Sequence, residues 1–141
     1  MRIAVVDGQG GGVGRHLTER IRRALGERLE IIALGTNATA TAAMLKAGAN
    51  EGATGENAIV RNVGRVDVIV GSVAILAAHS MLGELTPAMA EAVAASPGVK
   101  LLIPLNRSQI EIVGSSREPL PHLIEALTER LKELEGEIKN V

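Results

Sequence analysis

The run Ile3-Ala4-Val5-Val6-Asp7 passes directly into Gly8-Gln9-Gly10-Gly11-Gly12-Val13-Gly14, and a helical pattern follows without a break. A short β-branched apolar run of this kind reads as a buried parallel strand. Val13, Leu17, Ile21 and Leu25 then recur every four residues, which gives one apolar face to a helix that Gly26 stops. A strand, a glycine turn and a helix in so few residues form the opening of a parallel α/β layer structure. Five glycines in seven positions also let backbone N–H groups approach an anion closely, at the electropositive start of a helix.

The same alternation continues along the chain. Leu29 to Leu34, Val66 to Val70, Lys100 to Pro104 and Gln109 to Val113 read as further strands. Helices are predicted over Ala38 to Ala47, Glu56 to Val63, Thr86 to Ala95 and from Pro119–Leu123 onward. Thr86-Pro87 supplies an N-cap and a first helical residue, whereas Asn50 to Gly55 reads as a polar loop. The expected architecture is one domain, residues 1–141, a three-layer α/β sandwich with a mostly parallel five-stranded sheet. A Rossmann-like strand order, 3-2-1-4-5, is favoured, with the flavodoxin-like order 2-1-3-4-5 as the alternative. Both place ligands at the carboxyl ends of the strands.

Composition removes several classes of function. The chain of 141 residues has no cysteine, which excludes disulfides, thiolate catalysis and Cys-ligated metals. It has no Phe, Tyr or Trp, so no benzenoid or indole ring can stack on a base or a cofactor, and no catalytic Tyr exists. With a net charge of −1 and no basic block, nucleic acid is not an expected partner. The longest uncharged stretch, Val68 to Ala78, is too short to span a bilayer. A membrane partner is thus not expected either, and a cytoplasmic location is.

The spacing within the turn separates the known phosphate loops. The dinucleotide pattern G-x-G-x-x-G fails, because starting at Gly8 and Gly10 puts Val13 at the third glycine. Gly8, Gly12 and Gly14 meet the spacing G-x-x-x-G-x-G, and over the first strand, turn and helix the chain resembles short-chain dehydrogenases/reductases. That family's catalytic Tyr is absent here. A Walker A loop fits worse: aligned on Gly14, it finds Gln9, Arg15 and His16 where Gly, Lys and Ser/Thr belong, so ATP is less expected than NAD or NADP. NAD would call for an acid at the end of strand two, to hold the ribose hydroxyls. That place holds Thr36 and Asn37, which serve a ribose or cap the next helix, the cap being the commoner role.

Asp7, Gly8, Gln9, Gly10, Gly11, Gly12, Gly14, Thr36, Asn37, Ser72, Asn106 and Arg107 are thereby gathered at one sheet edge as the candidate binding set. Asp7 serves a ribose or a metal, or bonds to the N–H groups of its own turn; Arg107 grips an anion or is solvated. An anionic small molecule or nucleotide is the partner such groups suit. His16, His79 and His122 share no metal-ligand spacing, and no metal is expected. No nucleophile–base pair stands out, so no catalytic residue is assigned. The apolar group from Val73 to Leu82 is a self-association surface if it is not packed on the sheet.

IAVVDGQGGGVG (Ile3 to Gly14), ALGTNA (Ala33 to Ala38), MLKAGANEGATGEN (Met44 to Asn57), SMLGE (Ser80 to Glu84) and PLN (Pro104 to Asn106) resemble small bacterial proteins grouped as a domain of unknown function. That resemblance implies a stand-alone protein and brings no activity with it. Two readings result: binding of a phosphate-bearing small molecule at the turn, or a non-enzymatic homo-oligomeric assembly protein whose glycines serve packing.

Overall fold

The computed structural model describes residues 1–105, 109–115 and 117–139. Its elements are β1 (Arg2–Asp7), α1 (Gly12–Leu25), β2 (Glu30–Gly35), α2 (Ala38–Lys46), β3 (Glu51–Thr54), α3 (Glu56–Asn62), β4 (Val68–Ser72), α4 (Pro87–Ala95), β5 (Val99–Ile103) and α5 (Leu120–Lys139). The five strands form one parallel sheet in the order β3-β2-β1-β4-β5. This is the Rossmann order, and the flavodoxin-like alternative is set aside.

The alternation of side chains along β1 divides the core between the two faces of the sheet. Ile3 and Val5 pack with Leu17, Ile21 and Leu25 of α1, Met44 of α2, and Ile124, Leu127, Leu131 and Leu134 of α5. Ala4 and Val6 pack on the opposite face with Ile59 of α3 and Met89 and Val93 of α4. Every residue of β1 after Arg2 is buried, as a central parallel strand requires. The caps follow from sequence: Asn37 Oδ1 accepts the N–H of Ala40, and Thr86 Oγ1 accepts the N–H of Met89. Each such cap contributes about 1 kcal/mol.

Two strand assignments are corrected. The fifth strand is Glu51–Thr54, inside the segment read as a polar loop, and it pairs with Ile32 to Gly35 at the sheet edge. Three of its four residues are exposed and Ala53 is only partly buried, so EGAT has too little apolar surface on either face to carry a period-two signal. Gly52 packs closely against α2, where a Cβ would lie 2.8 Å from Thr41 Cγ2 and 3.0 Å from Leu45 Cδ1. Residues 109–113, expected as a strand from Ile110 and Ile112, are not part of the sheet, and Ile112 and Val113 are exposed. Two alternating isoleucines without a pairing edge do not make a strand.

The register brings Asp7 beside Gly35, and Ser72 beside Ile103, at the carboxyl edge of the sheet. Beyond β4 the chain makes a single 3-10 turn, Val73–Leu76, and then loops back toward the glycine turn before α4. No helix among the described residues is long and apolar enough to cross a membrane.

Candidate functional site

The turn after β1 is closed by a hydrogen bond from the Gly11 N–H to the Gly8 carbonyl at 2.9 Å. Gly11 precedes α1 in the left-handed region, φ 74°. Asp7 is buried at the end of β1, and its Oδ2 accepts the Gly14 N–H at 2.7 Å. The carboxylate therefore serves its own turn and satisfies one of the first-turn donors of α1. Among the described residues, the N–H groups of Gly12 and Val13 have no protein acceptor. These two donors and the partial positive charge of the helix start are what the turn offers an anion.

An open cleft of about 700 Å³ lies over this turn. Its polar wall is the turn itself with Asp7, His16 and Ser72; its apolar wall is Val13, Ala74, Met81, Leu82, Leu105 and Leu120. Ser72 is more than nine-tenths buried, and its oxygen accepts the Ala74 N–H at 3.3 Å. No acceptor among the described residues takes its proton, which leaves one buried hydroxyl donor at the cleft wall.

The glycines of the turn fall into two groups. A Cβ on Gly8 would stand 2.5 Å from Thr36 Oγ1, and one on Gly11 would stand 2.8 Å from the Ala40 backbone. One on Gly14 would stand 2.9 Å from Asp7 Cβ. At Gly10 and Gly12 a Cβ would meet nothing within 4 Å, and neither has a positive φ. Both border the cleft.

Glu84 is a residue that sequence reasoning misses. A single oxygen, Oε1, accepts the Thr36 hydroxyl at 2.6 Å, the Asn37 side-chain amide at 2.7 Å and the Gln9 N–H at 2.9 Å. The Thr36 bond chiefly, then the Gln9 N–H, hold its carboxyl below the ordinary value; partial burial opposes them, and Asn37 adds to the lowering. Glu84 sits 48 residues from Thr36, and no local spacing announces the pair. The segment SMLGE that carries it stands out in the sequence only as a shared motif.

The candidate residues are thus partly brought together. Asp7, Gly8, Gln9, Gly10, Gly11, Gly12 and Ser72 line the cleft, and Gly14 lies just beneath it. Thr36 and Asn37 adjoin the turn but are held by Glu84, with Asn37 also capping α2, and neither is on the cleft wall. Asn106 and Arg107 lie outside the described residues. His16 reaches the cleft, its Nε2 3.0 Å from an Arg15 guanidinium nitrogen. Of the Val73 to Leu82 group, Ile75 is fully buried and Met81 packs on the core, leaving Leu76 and Leu82 exposed. Among the described residues, no group of three His, Asp or Glu stands close enough to hold a metal.

Fold and site together define a parallel α/β protein of Rossmann strand order with a glycine-rich turn at its first strand–helix junction. The chain belongs to the family described as a domain of unknown function, DUF3842, whose model matches residues 2–136. No curated protein and no solved structure matches it.

Proposed function

We propose that the cleft binds a nucleotide or another phosphate-bearing small molecule, with its phosphoryl group on the turn. The carrying observation is the pair Gly10 and Gly12. Neither packing nor backbone conformation calls for glycine there, so their bareness serves the cleft. Both positions border the cleft, and each has open space where a side chain would go.

Two further observations support this reading. The Ser72 hydroxyl is a buried donor on the same wall. Four of the five non-glycine residues with positive φ among the described residues, Gln9, His79, Met81 and Leu82, lie on the turn and on the segment that folds back over it. Each left-handed non-glycine residue costs about 1–2 kcal/mol, and such strain collects at functional sites.

Native mass spectrometry tests the proposal, since the absence of Trp and Tyr removes the usual optical titrations. A copurified or added phosphate compound is expected to shift the mass of the wild-type protein, and Gly12→Val is expected to abolish the shift while the far-ultraviolet circular dichroism is unchanged. Bare protein in a fixed oligomer, with no shift from phosphate, NAD, NADP, ATP or ADP, would favour the assembly reading instead.

A further inference from the structure

If the cleft holds a phosphoryl group, as proposed above, its walls narrow the class of ligand, and the inference rests on that reading. In dinucleotide sites on this topology, the adenosine ribose lies at the carboxyl end of β2, where an acidic side chain takes its hydroxyls. In this protein that end is Gly35-Thr36-Asn37, and it is already filled. Glu84 reaches in from the segment after β4 and takes the Thr36 hydroxyl, the Asn37 amide and the Gln9 N–H on one oxygen. A carboxylate oxygen has about two lone-pair sites, so three donors saturate Oε1; Thr36, Asn37 and the Gln9 N–H are thereby engaged, and Oε2 alone of the Glu84 carboxylate keeps acceptor capacity.

The main chain around Glu84 is fixed as well. Ser80 Oγ donates to the Ala74 carbonyl at 2.7 Å, and the His79 N–H donates to the Leu85 carbonyl at 2.7 Å. Above Gly8 the space is taken: Met81 Sδ is 2.6 Å, and Glu84 Oε1 3.2 Å, from where a Cβ would be. The cleft runs the other way, past Ser72 and Ala74 to Leu105 and Leu120. Among the described residues, that half is apolar apart from the Ser72 hydroxyl. The whole cleft, about 700 Å³, is of small-molecule size.

We infer that the cleft takes a ligand with a single phosphorylated moiety, of mononucleotide size or smaller, and that the Glu84–Met81 segment bars a dinucleotide from the β2 side. The phosphoryl group meets the Gly12 and Val13 N–H groups, and the less polar remainder lies toward Leu105 and Leu120. Glu84 acts here as a specificity-determining residue by occupation, not by contact with the ligand.

The test is isothermal titration calorimetry of the full chain with inorganic phosphate, AMP and NAD, AMP being one half of NAD. Phosphate or AMP is expected to bind at least tenfold more tightly than NAD. In the double variant Glu84→Ala/Met81→Ala, the preference over NAD is expected to fall at least threefold. NAD binding as tightly as AMP and phosphate in the wild-type protein would overturn the inference and leave the phosphate site standing. An unchanged preference in a folded double variant would overturn the role given to Glu84. Heat from none of the three probes would remove the site itself, and the inference with it. If circular dichroism finds the double variant unfolded, the wild-type comparison decides alone.

Discussion

Within the one turn, glycine is a packing requirement at Gly8, Gly11 and Gly14, and it is not at Gly10 and Gly12. Gly11 and Gly14 let α1 start against the Ala40 backbone and against Asp7 at distances that no Cβ tolerates. Gly10 and Gly12, in the same seven residues, have open space where a side chain would go. Glycine at a helical position costs roughly 0.5–1 kcal/mol relative to Ala. At Gly14 close packing offsets that cost, and Gly11, in the left-handed region before α1, does not incur it. At Gly12 nothing in the fold offsets it, and the proposed ligand is what would account for the difference.

The comparison is broken most sharply at Gly11. Gly11→Ala is expected to destabilise by about 2–4 kcal/mol, combining overpacking against the Ala40 backbone with left-handed strain. Urea unfolding followed by circular dichroism would measure it; a loss under about 1 kcal/mol would mean that packing does not require glycine there.

Glu84→Ala comes next, at about 1 kcal/mol, because Thr36, Asn37 and the Gln9 N–H lose a charged acceptor in a partly exposed setting where water replaces some of it. Its pH dependence has a defined sign. The folded carboxyl titrates below its ordinary value of 4.5, so its contribution is present above that value and is lost as pH falls through the lower folded one. The stability gap between wild type and Glu84→Ala should therefore close on acidification below 4.5. A gap that stays constant to lower pH would show that the three hydrogen bonds do not favour the charged form.

A smaller effect gives the control. Gly136 lies within α5 with open space at its Cβ position and borders no part of the cleft. Gly136→Ala is expected to stabilise by about 0.5–1 kcal/mol and to leave phosphate or AMP binding unchanged. Weakened binding in that variant would detach the binding effect from the cleft.

Whether a feature is legible in the sequence depends on whether its signal is local. β1, β2 and β4 announce themselves as apolar runs because each is buried between layers, and β5, an edge strand with only Ile103 buried, still carries the run Leu101-Leu102-Ile103. β3 does not, since three of its four residues are exposed and one is a glycine packed closely against α2. Ile110 and Ile112 imitate a strand by alternation alone. The same division holds at the site. The turn is visible because its five glycines fall within seven positions, flanked by a strand and a helix. Glu84 is not, because its meaning arises from three donors on two other segments, brought together only by the closing of the sheet. Strand order puts Thr36 and Asn37 near the turn, as expected, but their polar groups face Glu84 and the start of α2, not the cleft.

The central claim is that Gly12 is bare for the sake of a ligand, and Gly12→Ala tests it with stability and binding measured on one sample. Unfolding is expected to shift toward greater stability by about 0.5–1 kcal/mol, as Ala replaces Gly in the first turn of a helix. Calorimetric binding of phosphate or AMP is expected to fall at least tenfold at the same time. A more stable protein that binds these probes as tightly as the wild type would contradict the claim.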